Sequence, residues 1–489
     1  MAWNLHTAMN VSTSSLLTKQ QQMSIVSTNA ANVDNQYYHR RSATVENVDL
    51  TGDGAGGAAG VYLSNVTRSY NNVLENCLKS AISGDSYQQE YLARMSQLEE
   101  LLGPGGDNYL SDAMSDFTTA LQNVAANPES VGYRTALLSA GKALASEFNR
   151  EYDNMATLRD AIAANSTTGS GYLTTEVAEA NNLLTQVAKL NKSIQAIESR
   201  STSGQQALEL RDRRDELVQK LAAYADISVT ENSNGQYTVE LNLADGTKTL
   251  IDGSTVPQTA ASQLQVVMTE SPAGFYTPSL SVVDADGTAT PVTLNSESGS
   301  LRALLDTREY VVSGMSDLYD FAAAVADQIN ALQNNPDTYD LNNNSNQGNF
   351  FSAPASQPAK GSILALDDYI TGNPRLIAAS GQSGQSGNGE AAAAMWDALH
   401  ADGRFQGESL VDYADRLLAN AAQEVADAAT SAETTAGVVE MYTAAVSEQS
   451  GVSMDEEMVN MLELQRAYQA SSKMISTIDE MIQTALGMV

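Results

Sequence analysis

Three glycines lie at a spacing that could bind a dinucleotide. Gly52, Gly54 and Gly57 match the G-x-G-x-x-G pattern, in which a helix after the glycine turn points backbone amides at a pyrophosphate. The residues that follow, "AAGVYLSNVT", have the alternating apolar pattern of a strand instead. Because the dinucleotide site depends on the missing helix, we predict a hairpin turn between two strands.

A calcium loop is a second candidate, at "DADG", residues 284–287. The EF-hand loop requires glycine at its sixth position and glutamate at its twelfth. Here Gly287 is the fourth residue and Asn295 is the twelfth. The sequence therefore favours a hairpin turn at this point over a calcium site.

Residues that build zinc and hydrolytic sites are sparse. His6, His39 and His400 are far apart, and the sequence has no H-E-x-x-H, C-x-x-C or G-x-S-x-G pattern. A catalytic triad assembled from distant residues stays open at this point. No set of residues rises to an active site, so we predict no catalytic residues, no cofactor, no metal site and no enzyme activity.

The single cysteine and the adjacent acidic residues also have ordinary structural explanations. Cys77 cannot form an internal disulfide, and it lies in the apolar-patterned run "NNVLENCLKS". We predict a buried, inert side chain there rather than a reactive thiol. The acidic pairs at 367–368 and 456–457 point to different faces of their elements, so we predict that they are solvated or cap helices.

Composition excludes several classes of partner. The 489 residues allow about three domains at roughly 150 residues each. Asp and Glu outnumber Lys and Arg 59 to 26, and the formal charge of −33 should repel nucleic acid and anionic lipid. The first twenty residues lack the basic start and apolar core of a signal peptide, and no segment has the apolar length of a membrane span. We therefore expect a protein that is not exported by the usual signal.

The elements that must position any functional residue include a long helix at the C-terminal end. Its apolar residues step by three and four, as at the a and d positions of a coiled coil. Ser453 and Glu456 have the spacing of a capping box that starts the helix. About 35 residues of helix span roughly 50 Å, more than one compact core covers. The stripe consists of Met461, Leu464, Tyr468, Ser471, Ile475, Ile478, Ile482, Ala485 and Val489.

The N-terminal end carries a rougher stripe of the same kind. Ser12 and Lys19 interrupt its apolar character, and such a helix is marginal unless it packs against a partner. The matching stripes predict that the two terminal helices are partners of each other. The N-terminal stripe consists of Leu5, Met9, Ser12, Leu16, Lys19, Met23, Val26 and Ala30.

Between these ends the periodicity changes twice. Helical patterns dominate to about residue 225, alternating patterns follow, and helical patterns return near residue 299. Asn234-Gly235, Asp245-Gly246 and Asp286-Gly287 supply the hairpin turns of the β segment. The predicted fold is mainly α with an inserted β domain: paired terminal helices, a helical rod-like middle domain and a β-rich outer domain. The predicted divisions are 1–40, 41–225, 226–298, 299–445 with a loop-rich segment at 336–390, and 446–489.

Both ends of the chain resemble those of flagellar rod, hook and hook-associated proteins. "SLLTKQQQMSIVSTNAANVDNQYYHRR" is similar to the N-terminal signature, and "SGVSMDEEMVNMLELQRAYQASSKMISTIDEMIQTAL" is similar to the C-terminal one. Many proteins of the flagellar axis share these ends. The matching positions are Ser27, Asn29, Asn32, Tyr38, Arg40, Gly451, Val452, Asp455, Glu456, Glu457, Leu462, Gln465, Tyr468, Ala470 and Ser471.

Internal segments narrow the resemblance to the family of flagellar hook-associated protein 1. These are "FTTALQNVAANPESVGYRTALLSAGKALASEFN", "LELRDRRDELVQKLAAYADISV", "GSLRALLDTREYVV", "GNFFS" and "PRLIAAS". The resemblance implies that Asp212, Arg214 and Asp215 organise a helix end by ion pairing. This chain has Gln36-Tyr37 where the family usually has Pro-Gly, so the exit from the first helix is expected to take another path.

The resemblance implies a structural protein of the bacterial flagellum at the hook-filament junction. It implies an extracellular location reached through the flagellar type III export channel without a cleaved signal peptide. It also implies a ring of identical subunits, with hook protein on one side, the second hook-filament junction protein on the other, and an export chaperone on the C-terminal helix. Neither nucleic acid nor a membrane is an expected partner.

We expect the terminal helices to form the assembly interface. The hypothesis is that they pair as an antiparallel coiled coil only in the assembly, and are largely disordered before it. Another axial flagellar protein, such as a hook or filament subunit, is the alternative, and a secreted adhesin or hydrolase is a weaker one because 226–298 contains no histidine. The predicted interface residues are Leu5, Met9, Leu16, Met23, Val26, Asn29, Asn32, Met461, Leu464, Tyr468, Ile475, Ile478 and Ile482.

Overall fold

Helices make up most of the chain, as the periodicity predicts. The computed structural model describes residues 2–49, 58–167, 169–200, 206–255, 260–271, 275–345 and 348–487. The helices are α1 (Ala2–Ala31), α2 (Asn72–Leu102), α3 (Tyr109–Ala126), α4 (Val131–Ile162), α5 (Tyr172–Glu198), α6 (Leu208–Ala222), α7 (Ser300–Gln333), α8 (Glu390–His400), α9 (Leu410–Ser450) and α10 (Met454–Leu486).

The strands form small antiparallel sheets, and the prediction of a mainly α fold with an inserted β region is confirmed. The strands are β1 (Arg41–Asp49), β2 (Ala58–Arg68), β3 (Ile227–Glu231), β4 (Tyr237–Leu243), β5 (Gly246–Ile251), β6 (Gln263–Glu270), β7 (Tyr276–Val283), β8 (Ala289–Val292), β9 (Phe351–Ser352) and β10 (Ala365–Leu366). The sheet orders are β1-β2, β3-β4-β5, β6-β7-β8 and β10-β9.

The body of the molecule consists of α2 to α9 together with strands β3 to β10. Several of its helices begin at side-chain caps, such as Ser130 for α4 and Ser409 for α9, which accept hydrogen bonds from backbone amides of the first turn. At its centre the rings of Phe148 and Phe321 lie 5.1 Å apart, and Tyr413 of α9 packs 4.8 Å from Phe321. This core is closed within one chain.

The inserted β segment follows the predicted turns. Asn234-Gly235 joins β3 to β4, and Asp286-Gly287 joins β7 to β8. Gly235 and Gly287 have φ of 78° and 88°, in the left-handed region that glycine adopts without steric cost. Asp284, the first residue of the candidate calcium loop, instead accepts hydrogen bonds from Lys248 and Ser262.

The loop-rich segment is fixed by amide side chains. Asn330 of α7 accepts the backbone N–H of Phe350 and Phe351 at 2.8 and 2.9 Å and donates to the carbonyl of Phe351 at 2.8 Å. Asn149 of α4 likewise accepts the backbone N–H of Ile363 and Leu364 and donates to the carbonyl of Leu364. Buried loop backbone needs such partners.

Two predictions concern the hairpin β1-β2 and the helix α2 that follows it. The glycines Gly52, Gly54 and Gly57 lie outside the described residues, but β1 and β2 flank them as an antiparallel pair with Asp49 opposite Ala58. The prediction that Cys77 is buried is wrong, because its side chain is only half-buried on α2. It sits one residue before the buried Leu78, at the border of the helix's apolar face.

The terminal helices α1 and α10 lie beside each other, and α1 also packs against β2. The expectation that these helices pair only in an assembly is wrong, because in this structure one chain already pairs them. The physical reason lies in the hairpin β1-β2 and in a set of polar contacts described below. In the ranges given above, no helix combines the length and the hydropathy that a membrane span needs.

Candidate functional site at the terminal helices

The two terminal helices run antiparallel. The hydroxyls of Ser15 and Ser471 lie 3.2 Å apart, and the Asn29 side chain donates to Glu457 at 3.2 Å. As residue numbers rise along α1, the numbers of the contacting residues in α10 fall. A serine pair in the middle allows the helix axes to approach closely because its side chains are small.

The predicted stripe residues lie toward the partner helix, in varying degree. Val26, Asn29 and Ile478 are buried. The other predicted interface residues are half-buried, which distinguishes them from most neighbours along α10 but not along α1, where other residues are half-buried too. These half-buried residues are Leu5, Met9, Leu16, Met23, Asn32, Met461, Leu464, Tyr468, Ile475 and Ile482. Their role as an interface between subunits remains a prediction.

A second apolar face of α10 is turned to solvent. Its side chains are about half exposed, from 48% for Met481 to 57% for Met458 and Val459. Groups of exposed apolar side chains mark interaction surfaces, and methionine-rich surfaces adapt to partners. The a and d spacing missed these residues because it assigns one face only. We call this surface the open face; it consists of Met458, Val459, Leu462, Met474 and Met481.

The hairpin β1-β2 also holds α1. The hydroxyl of Thr18 donates to the carbonyl of Val61 at 3.2 Å, and the N–H of Val61 donates to the Ser14 hydroxyl at 3.1 Å. Gly60 permits this approach, since a Cβ there would lie 2.2 Å from the Ser14 oxygen. Side chains of α1 thus satisfy part of the outer edge of β2.

The sequence signatures of the two ends converge on one buried acid, Glu457. The guanidinium of Arg40 binds Glu457 at 2.8 Å and Glu456 at 3.0 Å. The side-chain N–H of Asn29 donates to Glu457, and the side-chain oxygen Oδ1 of Asn29 accepts a hydrogen bond from the Tyr38 hydroxyl at 2.8 Å. The prediction that Glu456 and Glu457 are solvated or capping is wrong for Glu457, which is 1% exposed; its partners come from the other end of the chain.

The exit from α1 does not use a glycine turn, as expected from Gln36-Tyr37. Successive i→i+3 bonds close it, from Asn35 N–H to Asn32 and from Tyr38 N–H to Asn35, each at 3.0 Å. The Asn35 side chain also accepts the N–H of Tyr37 at 3.1 Å, which is an Asx turn. An asparagine-built turn thus replaces the one that Pro-Gly would form.

A buried charge cluster joins this exit to the body. The two ring nitrogens of His39 lie 3.2 Å from Glu75 of α2 and 3.2 Å from Asp212 of α6. Arg41 binds Asp212 at 3.1 Å. Arg68, at the end of β2, bridges Asp212 at 3.1 Å and also binds Asp215.

The expected role for Asp212, Arg214 and Asp215 is therefore corrected. They lie within α6 rather than at a helix end, and the two acids bind basic residues of the N-terminal segment. Arg214 makes no salt bridge with any residue that the structure describes. Its guanidinium stacks 3.4 Å from the ring centroid of Tyr237 and donates to Asn191 and to the carbonyl of Gly235.

Electrostatics in the cluster favour the charged forms of Asp215 and His39. Although burial opposes its charge, the guanidinium groups of Arg68 and Arg214 hold the pKa of Asp215 below its usual value. Burial likewise opposes a charged imidazole, yet hydrogen bonds to Asp212 and Glu75 raise the pKa of His39 to about 9. Burial lowers the pKa of Lys79, which lies 3.7 Å from Glu75.

His39, Asp212 and Asp215 are residue types that ligate metals, and they lie close together. Sequence spacing could not find them because more than 170 residues separate the histidine from the acids. Their donor atoms are engaged in other ways. Arg41 and Arg68 bind the carboxylates, and the Tyr237 hydroxyl donates to Asp215 at 2.5 Å. A metal ion would need free carboxylate oxygens as ligands, and here guanidinium groups already bind those oxygens. The cluster therefore fits an ion-pair network.

Two family models of flagellar proteins match this chain. A model of the flagellar hook-associated protein FlgK helical domain matches residues 95–351. A model of the flagellar basal body rod FlgEFG protein C-terminal region matches residues 444–488, which include α10 and the last turns of α9.

Individual relatives agree with these matches. Flagellar hook-associated protein 1 of Bacillus subtilis is 25% identical over 515 residues, 96% of each chain. Its namesake in Salmonella typhimurium is 31% identical over 350 residues, 70% of this chain and 59% of the relative. The solved structure of the flagellar hook junction protein FlgK from Burkholderia pseudomallei aligns with a TM-score of 0.47 at 26% identity, covering 57% of this chain and 47% of that one.

Proposed function

Because the chain belongs to the family of flagellar hook-associated protein 1, we propose that it is a structural subunit of the hook-filament junction that assembles through its terminal helices. One observation carries the proposal: α10 pairs with α1 on one side and leaves the apolar open face on another. Burial of apolar surface at about 25 cal/mol per Å² is the main driving force of such associations.

Neighbouring copies are the partners that suit this face in the junction. Copies related by rotation about an axis would place α10 of one subunit against the helix pair of the next and close a ring. Hook protein would contact one end of the ring and the second junction protein the other. An export chaperone would cover the open face of α10 before assembly.

The route to this position would be the flagellar export channel, with no cleaved signal peptide, and the final location would be extracellular. The net charge of −33 supports this order of events. Acidic surfaces repel one another in solution, so exported subunits would stay apart until apolar contacts between terminal helices form.

A deletion strain tests the proposal. Electron microscopy should show hooks without filaments, and the gene for the intact chain should restore filaments. If hooks are absent from the deletion strain, the chain acts earlier in the axis and the junction role is rejected.

A single substitution tests the role of the open face. Leu462→Asp places a charge on a side chain that is 53% exposed, so the monomer should fold and be secreted while filaments remain absent. Val73→Asp is the matched control, because Val73 is an apolar residue of α2 that is 74% exposed. Full restoration of filaments by the Leu462→Asp chain would remove the open face from the assembly contact.

A further inference from the structure

Three consecutive basic residues connect the terminal helix pair to the body. His39, Arg40 and Arg41 alternate between two sides, since His39 and Arg41 contact acids of the body while Arg40 contacts acids of α10. We call these residues the basic segment. A strand-like chain points successive side chains to opposite sides, which explains how so short a segment reaches both.

The outer side of the basic segment is also where the two ends of the chain cross. The N–H of Arg40 donates to the carbonyl of Ser450 at 2.8 Å, between α9 and α10, and its carbonyl accepts the N–H of Ser69 at 2.9 Å. Ser69 and Asn71 donate to Gln449 at 2.9 Å each. The junction is therefore polar, and its geometry depends on hydrogen bonds and charges.

On the inner side, both ring nitrogens of His39 face carboxylates. Nδ1 faces Asp212 and Nε2 faces Glu75, each at 3.2 Å. A neutral imidazole has one N–H, so it can serve only one carboxylate, whereas the imidazolium serves both. Hydrogen bonding to both acids from the ring thus requires its protonated form.

Other groups around His39 also contact these acids, and Gln219 of α6 donates to Oε2 of Glu75 at 3.2 Å. From α2, Lys79 faces Glu75, and from α6, Asp215 adds negative charge. From the end of β2, Arg68 binds Asp212 and Asp215, and the ring of Tyr70 packs 5.1 Å from the imidazole. The remaining neighbours are Arg41 of β1, bound to Asp212, and Tyr237 of β4, whose hydroxyl is bound to Asp215.

We propose that the basic segment is a latch that fixes the orientation of the terminal helix pair on the body, and that the latch opens when His39 loses its proton. This inference concerns one chain and stands whether or not the chain acts at the hook-filament junction. Deprotonation would remove one ring hydrogen bond and the positive charge between two buried carboxylates. Asp212 would keep Arg41 and Arg68, whereas Glu75 would keep only Gln219 and Lys79 among the described residues, and a less compensated buried charge is costly. Residues 39–41 would then leave the body, and α1 with α10 would turn with them.

The direction of the pH effect follows from linkage. The folded-state pKa of His39, about 9, lies above its ordinary value of 6.5. The latch is therefore fully closed below about pH 6.5 and opens as the pH rises through about 9.

Distances between spin labels on the full chain test the latch. With Cys77 replaced by serine, labels at Ser472→Cys on α10 and Lys189→Cys on α5 report the orientation of the helix pair, since both positions are exposed. We expect a narrow distance distribution at about pH 7 and a broad one at about pH 10.5. His39→Gln should be broad at both values, and His6→Gln, at an exposed position of α1, should behave like the parent.

Several outcomes would overturn the proposal. One is a parent chain that keeps its narrow distance distribution at the higher pH, and another is a His39→Gln chain that is as narrow as the parent at both values. Persistence of the pH effect in His39→Gln would assign it to Lys79. A label at Gln20 on α1 in place of Ser472 should broaden equally; broadening at Ser472 alone would mean that α10 leaves α1. Broadening of the parent by a chelator at about pH 7 would show that a metal closes the cluster.

Discussion

The body and the terminal helix pair have the same helical periodicity, but they differ in how far their apolar side chains are buried. In the body, Phe148 and Phe321 are fully buried against each other. In α10, among its described residues, only Glu457 and Ile478 are buried, and the open face is exposed. An apolar stripe therefore predicts that a helix packs, and its surroundings decide whether one chain supplies enough partners.

The two regions also differ in what holds them. Aromatic and aliphatic side chains close the body, whereas polar contacts at Asn29, Arg40 and Glu457 hold one end of the helix pair. Directional contacts fix register and orientation at modest net free energy. The pair is thus positioned in the single chain without being shielded from solvent.

The largest expected effect separates the two regions by stability. Phe321→Ala should lower the free energy of unfolding by about 3–5 kcal/mol, because it empties a closed core. Leu462→Ala on the open face should change it by only about 0.5 kcal/mol in the monomer. Urea unfolding followed by circular dichroism measures both, and equal losses would mean that the open face is covered within one chain.

Breaking the buried charge cluster should cost nearly as much. Arg68→Met removes a cation that binds Asp212 and Asp215, and an uncompensated buried charge costs about 3–5 kcal/mol. Arg213→Met is the control, because that side chain is exposed and its pair with Glu216 should contribute about 0.5 kcal/mol. Similar unfolding midpoints for the two variants would show that the cluster is solvated.

A buried acid in the body provides a pH-dependent comparison. Burial raises the pKa of Glu151 on α4 to about 8, and no described residue donates to its Oε2. The charged form is penalised in the fold, so stability falls as the pH rises from about 4.3, the ordinary glutamate value, toward 8. Glu151→Gln should stabilise the chain by on the order of 2 kcal/mol at pH 8 and have little effect below about pH 5.

The matched control for this effect is Glu100→Gln on the exposed side of α2. It should leave the dependence of unfolding free energy on pH unchanged. If Glu151→Gln destabilises the chain at pH 8, the glutamate is charged and has a partner that the fold supplies.

The smallest effect concerns the start of α10. Ser453 accepts the N–H of Glu456 at 3.5 Å, and loss of such a cap costs about 0.5–1 kcal/mol. Ser453→Ala should therefore speed amide hydrogen exchange in the first turns of α10 while the body exchanges as before. Ser472→Ala in the middle of α10 is the control. Equal acceleration of amide exchange by both substitutions would show that the Ser453 cap does not stabilise the start of α10.

Local signals in the sequence predicted much of the fold. The turn Asn234-Gly235 and the stripe through Tyr468 and Ile478 depend on residues a few positions apart, so the sequence alone displays them. The exposure of Met458 and Leu462 was not predictable, because a stripe template says nothing about what lies opposite a second face. The prediction that Cys77 is buried is wrong for the same reason, because Cys77 lies at the edge of an apolar run.

Contacts between distant residues account for the rest of what the sequence missed. His39 meets Asp212 across more than 170 positions, and Arg40 meets Glu457 across the whole chain. The resemblance of both ends to flagellar axial proteins identified Arg40 and Glu457 as notable without showing that they form a pair. Only the folded chain explains why a basic segment and an acidic helix start occur in the same sequence.

The most direct test of the central claim measures whether assembly covers the open face. With Cys77 replaced by serine, Leu462→Cys should react rapidly with a maleimide in the secreted monomer and be protected in intact flagella. Asp245→Cys, at the exposed turn between β4 and β5, should react in both. If the cysteine at position 462 reacts in flagella as fast as in the monomer, the open face is not an assembly surface and the account fails.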